Sequence, residues 1–223
     1  GLGDVYKRQL VYINLRFYGY KGNDKYIHVV LDEAQDFGLF HYFVIKNLFK
    51  NATFSIFGDL AQSIYSYQSI DNWEEVKSII YNNDINILPL DKSYRTTCEI
   101  MAAANKVSGM YGFGMAQSFL RHGPEVSFIK YNIINLLEKI DTLKKSGYSN
   151  IAVICKSKKS IEKYVEDINV SGVSVITSYL SKGLEFDCCI VIDMDFDRKN
   201  MLDMKLLYVA MTRALHELII VTK

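Results

Sequence analysis

The chain has 223 residues, 49% of them hydrophobic and 23% charged, with a formal net charge of +1. That length and apolar content fit one large or two modest α/β domains, each with its own core. Near-neutral charge predicts no polyanion ligand by itself, although a local groove can be basic on a neutral molecule. Cys98, Cys155, Cys188 and Cys189 lack any CxxC spacing, which excludes the usual zinc patterns and speaks against disulfides. No apolar run reaches the roughly 18 residues of a membrane span, and no basic-then-apolar signal opens the chain. The expected compartment is the cytoplasm, with no membrane partner.

Residues 1–9, GLGDVYKRQ, fit no helix or strand period and read as a non-native or disordered leader. Residues 1–26 contain no GxxxxGK[ST], so a phosphate-cradling loop and its lysine are missing from them. From Ile27 short β-branched runs alternate with longer helical patterns, which predicts a parallel sheet covered on both faces. Strands are predicted at 27–32, 53–57, 85–88, 125–129, 151–155, 173–176, 188–193 and 217–222. Helices are predicted at 39–50, 72–82, 96–108, 132–146, 159–169 and 203–215. Handed crossovers then make a doubly wound α/β fold, in which ligands collect at the carboxyl ends of strands. A composition shift across 84–91 marks a boundary, giving domains at 10–90 and 91–223. The glycine-rich stretch 109–123 reads as a surface connection.

The first strand, IHVVLDEAQDF at 27–37, ends in Asp32, Glu33 and Asp36. Carboxylates at the tip of a buried strand are costly without a cation or hydrogen-bond partners. Such a pair suits a nucleotide site in which Asp32 binds Mg²⁺ and Glu33 orients or deprotonates the attacking water. The plainer reading is a strand followed by an acidic helix cap, with Asp36 capping a helix near Gly38. The second strand delivers GDLAQSIYSY, with Asp59 and Gln62 just past its tip. There Gln62 can approach Asp32 and Glu33 and hydrogen-bond a terminal phosphate, and Tyr65 and Tyr67 offer flat faces for bases. A polar loop with core-packed tyrosines explains that segment equally well.

Further on, LDKSYRTTCEI sets Tyr94 and Arg95 before a helix capped by Thr96 or Thr97. Arginine suits phosphate because its guanidinium is a planar, always charged fork, but a YR pair alone is commonly a surface feature. Residues 177–193, TSYLSKGLEFDCCIVID, form a Ser/Lys/Gly loop feeding a buried strand. Residues 206–214, LLYVAMTRA, carry Arg213 as an isolated charge after an apolar helical stretch; such an arginine also serves simply to face a helix dipole or solvent. His216 reads as a structural or solvated residue at a helix end, and no histidine is assigned to a metal.

In order, DEAQD, GDLAQSIY, SYR, KGLEFD and LYVAMTRA resemble motifs II to VI of superfamily 1 helicases of the UvrD/Rep type, across nearly all of residues 11–223. Within that group LVYINLRFYGYKG, KSYRTTCEI, IAVICKS and SYLSKGLEFD look most like the HelD, or helicase IV-like, branch that recycles RNA polymerase. The resemblance implies two RecA-like P-loop NTPase domains, the first incomplete at its N-terminus, with ATP and Mg²⁺ as cofactors. It implies that Asp32 holds Mg²⁺, Glu33 activates water, Gln62 senses the γ-phosphate and Tyr94 stacks on adenine. Arg95 and Arg213 would be arginine fingers and Glu185 a ribose contact, while Tyr65, Ser178 and Lys182 would face the nucleic-acid track.

The family's phosphate loop and early motifs would lie upstream, so the chain resembles the C-terminal portion of a longer protein whose N-terminal half is a required partner. UvrD and Rep carry a large insertion between the fourth and fifth motifs, whereas only residues 96–176 separate Arg95 from Thr177 here. That leans towards the HelD-like branch. Two functions follow as expectations: an ATP-driven helicase or translocase on single-stranded or duplex DNA, or an ATPase that binds and recycles RNA polymerase with little unwinding. Without the upstream lysine and Mg²⁺-binding hydroxyl, the 223-residue chain alone is expected to turn over no ATP. Phosphate release by the purified chain that Glu33→Gln abolishes would overturn this.

Overall fold

The computed structural model describes residues 10–13, 25–65, 69–112, 116–118, 121–166 and 168–223. The expected leader at 1–9 and Tyr67 lie outside them. The chain divides into two compact units, Gly1–Leu88 and Pro89–Lys223. Both are α/β with parallel strands.

In unit 1, β1 (His28–Leu31) pairs in parallel with β2 (Thr53–Ile56), in a register running from His28 beside Thr53 to Leu31 beside Ile56. Between them runs α1 (Leu39–Leu48), with the crossover length that parallel neighbours require. A short helix, α2 (Trp73–Glu75), is capped by the Asn72 side chain and continues as one π-helical turn, Val76–Ile80. Ala34, Tyr42, Ile70, Val76, Ile80 and Tyr81 form the core, with Leu31, Phe54, Ile56 and Trp73 packed against it.

Two expectations fail in this unit. β1 is not a buried strand: Val30 is 60% exposed and Asp32 and Glu33 lie in the open, because β2 is its single partner among the described residues. Residues 85–88 form no strand. Ile85 packs on the core, but Leu88 is exposed and Pro89 supplies no N–H for a ladder.

Unit 2 holds a five-stranded parallel sheet, ordered β5 (Ser127–Lys130), β9 (Ala214–Thr222), β8 (Phe186–Ile192), β6 (Ile151–Cys155), β7 (Val173–Thr177). All five residues of β6 and Cys188–Ile192 of β8 are buried, which is why IAVIC and CCIVI are continuous apolar runs and not alternating ones. One face buries Ile151, Val153, Ile190, Ile192, Ile219 and Val221 against Leu136, Ile140 and Leu143 of α4 (Ile133–Lys145). The opposite side carries α3 (Cys98–Gly109) and α7 (Met201–Met211), which pack on each other and on the sheet. α7 is buried from Leu206 to Met211, so it is hydrophobic all round.

Caps follow local chemistry. Thr97, not Thr96, starts α3 by accepting from the Ile100 N–H; Asn132 and Asn200 do the same for α4 and α7, Ser157 for α5 (Lys158–Tyr164) and Thr177 for the short α6 (Ser178–Ser181). The 109–123 stretch is not all connection, since β4 (Gln117–Ser118) pairs with β3 (Lys92–Ser93). The final helix is shorter than predicted, and β9 begins at Ala214 because that residue pairs with Phe186. His216 therefore sits in a strand and not at a helix end. Among the described residues, no helix is long and apolar enough to cross a membrane.

Burial sets the chemistry of the thiols. It pushes Cys155 and Cys188 up to about 12 and raises Cys189 as well, whereas Cys98 is only half-buried. Because the thiolate is the reactive form, a thiol reagent at pH 8 is expected to label Cys98 alone in the folded chain and all four cysteines in denaturant. Rapid labelling of more than one thiol without denaturant would contradict the packing of β6 and β8.

Candidate active site

The carboxyl edge of unit 1 is built around Glu33. Its backbone is left-handed, φ 50° and ψ 33°, a sparsely populated conformation for a residue with a side chain. The surroundings hold it there. Ala34 N donates to Phe57 O at 2.9 Å, extending the β1–β2 tie past the strands, and the Tyr42 hydroxyl donates to Ala34 O at 2.5 Å. Glu33 N in turn donates to Asp32 Oδ1 at 2.8 Å. Non-glycine residues in strained conformations cluster at functional sites when their surroundings over-determine them.

Gln35 joins the two strand tips. Fully buried in the turn Ala34–Asp36, it donates from Nε2 to Glu33 Oε2 at 2.6 Å and accepts at Oε1 from Asp59 N at 2.9 Å. Asp59 accepts from Ala61 N through Oδ1 and from Gln62 Nε2 through Oδ2 at 2.8 Å. Glu33, Gln35, Asp59 and Gln62 thus form one hydrogen-bonded chain across neighbouring strand ends. Gly58 makes room for it: a Cβ there would lie 2.6 Å from Gln35 Oε1 and 2.8 Å from the Trp73 ring. Sequence reasoning missed Gln35, although a glutamine between the acids of DEAQD was the available signal.

In unit 2 Glu185, Arg95 and Arg213 gather at the amino edge of the sheet, whereas Ser178 and Lys182 follow the carboxyl end of β7. Glu185 precedes β8, Arg213 precedes β9, and Phe186 N donates to Arg213 O at 3.0 Å. Parallel pairing sets the residues preceding both strands side by side. Arg95 Nε meets Glu185 Oε1 at 2.8 Å, both side chains being nearly half exposed. Arg213 is 2% exposed and donates from Nε to Val209 O and from Nη1 to Leu184 O. Its Nη2 also donates to the Thr212 hydroxyl at 3.3 Å, so all three guanidinium nitrogens are engaged in and around the last turn of α7, the dipole-facing role left open by the sequence.

Tyr94 is 67% exposed, a flat face at the surface, and Lys182 and Tyr65 are half-buried. Ser178 is fully buried and donates its hydroxyl to Cys155 O at 3.4 Å, so it offers no surface contact. A cavity of about 630 Å³ lined by Ala102, Lys106, Met110, Phe128, Leu207 and Ile220 includes none of these candidates.

Among the described residues no group of three His, Cys, Asp or Glu could cage a metal. Mg²⁺ carried with nucleotide phosphates needs only one or two protein carboxylates. The exposed Asp32 at the strand tip fits that kind of ion and not a protein-caged one.

An α/β fold with parallel sheets is shared with a solved helicase. The chain aligns with the solved PRRSV helicase at 18% identity and a TM-score of 0.52, covering 86% of this chain and 34% of that one. It also aligns with the arterivirus nonstructural protein 10 helicase (15%, TM-score 0.46, 86% and 38% covered). A third match is the C-terminal domain of a possible DNA helicase from Lactobacillus plantarum WCFS1 (23%, TM-score 0.45, 58% and 87% covered). The chain thus spans little more than a third of either viral helicase. Residues 20–77 match the UvrD/REP helicase N-terminal domain and residues 172–221 the UvrD-like helicase C-terminal domain. These two matches support a helicase of the UvrD type. No curated protein matches the chain.

Gln35→Leu keeps the volume but strands the Asp59 N–H and removes the Gln35 bond to the Glu33 carboxylate. It is expected to cost about 1–3 kcal/mol, the usual penalty for an orphaned buried polar group, read from the urea midpoint of the chain. An unchanged midpoint would refute the linking role.

Proposed function

We propose that the chain is the motif II to VI part of an ATP-dependent DNA helicase or translocase built on two RecA-like domains, residues 10–90 and 91–223. The observation that carries this reading is the hydrogen-bonded chain from Glu33 to Gln62. It holds Glu33 and Gln62 on adjacent strand tips, an arrangement that suits a general base and a phosphate-sensing amide for in-line attack of water on a γ-phosphate. The two family matches support it.

Residue by residue, Asp32 ligates the Mg²⁺ that accompanies the nucleotide, and the ion supplies charge neutralisation on the phosphates. Glu33, with one oxygen held by the Gln35 amide, keeps its carboxylate aimed to accept the proton of an attacking water. Gln62 contributes its amide to the terminal phosphate, its orientation set by Asp59. Arg95 and Arg213 provide fixed positive charge for the transition state, Tyr94 stacks on adenine and Glu185 contacts the ribose. Lys182, Tyr65 and Tyr67 contact the nucleic acid, by charge and by stacking.

A second reading, an ATPase that binds and recycles RNA polymerase with weak unwinding, is favoured by one observation. Residues 96–176 are taken up mostly by α3, β5, α4, β6, α5 and β7, which leaves no large insertion. A strand-displacement assay on the full-length protein separates the two, robust unwinding excluding the second.

In the full-length protein, Glu33→Gln is expected to lower nucleic-acid-stimulated ATP hydrolysis at least ~100-fold, and Arg95→Ala on the order of 1000-fold. Circular dichroism should show both folded. Retention of more than about a tenth of the rate by both variants would exclude this active site.

A further inference from the structure

We propose that residues Arg121, His122 and Gly123 form a bracket that holds the loop bearing Tyr94 and Arg95 to the amino edge of the unit 2 sheet, with Arg121 as a positioning residue for Arg95. The inference rests on the reading of Arg95 as a phosphate ligand.

Arg121 reaches two elements at once. Its Nη1 donates to Arg95 O at 2.9 Å and its Nη2 to Nδ1 of His216, on β9, at 2.7 Å. A guanidinium can only donate, so that imidazole nitrogen must present its lone pair. Arg121 O also accepts from Cys98 N at 2.8 Å, one of the first-turn amides that α3 cannot serve internally.

The next two residues tighten the hold. His122 Nδ1 meets Glu99 Oε1 at 2.8 Å, and Gly123 N donates to Glu99 Oε2 at 2.9 Å. Hydrogen bonds from His122, from its own backbone and from Gly123 hold the Glu99 carboxyl down at about 2, so this anchor is ionised throughout the neutral range. Packing leaves no slack: a Cβ on residue 123 would lie 2.6 Å from Thr97 Cγ2 and 3.1 Å from His216 O.

The consequence concerns Arg95. Its own side chain is held by the half-exposed Glu185, and such exposed pairs restrain weakly. Its main chain is held by a second charge-assisted bond, from Arg121. The fork ends on His216, three positions after Arg213, so one side chain sets Arg95 against the strand that Arg213 precedes. Lysine, a point donor without the planar fork, cannot span carbonyl and imidazole together.

Two measurements test this. In the full-length protein, Arg121→Ala is expected to lower kcat for ATP hydrolysis by about tenfold to a hundredfold, with a smaller change in KM. In an Arg95→Ala background the same substitution should change the rate by less than about twofold, because it acts through Arg95. Independent multiplication of the two losses, or an unchanged kcat, overturns the proposal. In the 223-residue chain, Arg121→Ala should speed amide exchange at residues 95–98 by roughly tenfold or more, and unchanged exchange there also overturns it. If the wild-type full-length protein hydrolyses no ATP, the ATPase reading fails while the exchange arm still decides the bracket. Should Arg121→Ala not fold, Arg121→Lys carries the same measurements.

Discussion

Parallel pairing of β8 with β9 is the interaction on which the chemistry of unit 2 depends. Phe186 lies beside Ala214, with a register irregularity between Phe186 and Cys188, and the preceding residues Glu185 and Arg213 are thereby neighbours. Slippage by one residue would exchange the faces of β9, moving Ile219 and Val221 away from α4. Burial of the strand therefore fixes the position of a guanidinium that contributes nothing to the apolar core. Arg95 joins this edge from another part of the chain, drawn by Glu185 through its side chain and by Arg121 through its carbonyl.

Unit 1 solves a related problem with a different device. Its two carboxylates are exposed, so no large desolvation penalty has to be offset, and the difficulty is one of aim. A left-handed turn at Glu33, a buried glutamine and a glycine with no room for a Cβ hold the acid and Gln62 in a set relation. The strain is local, and a tyrosine hydroxyl and a strand-extending backbone bond offset it. Both units thus use polar links between strand ends, buried at Gln35 in unit 1 and at Arg213 in unit 2, where satisfied hydrogen bonds favour one arrangement over its neighbours.

Legibility in the sequence followed burial. The strands IAVIC and CCIVI were readable because central parallel strands are apolar on both faces, and helices such as 132–146 because one face alone is apolar. The stretch 85–88 has the same composition as a strand but finds no partner in a sheet. Helix 203–215 was overestimated because an all-apolar helix and a following apolar strand share no visible boundary, and pairing with Phe186 made the division. Arg121 sat in a glycine-rich stretch that looked like plain surface, since its partners Arg95 and His216 are far away in sequence.

The sequence by itself determined an alternating α/β chain, the order of its helicase-like motifs and the identity of the charged residues at the motif positions. These follow from periodicity, turn chemistry and residue type, all of which act over a few positions. Tertiary structure alone decided that Glu185, Arg95 and Arg213 share the amino edge of their sheet, that Ser178 is buried, and that Gln35 and Arg121 bind the motif loops together. Those outcomes depend on strand register and on contacts between residues distant in the chain, which no local pattern records.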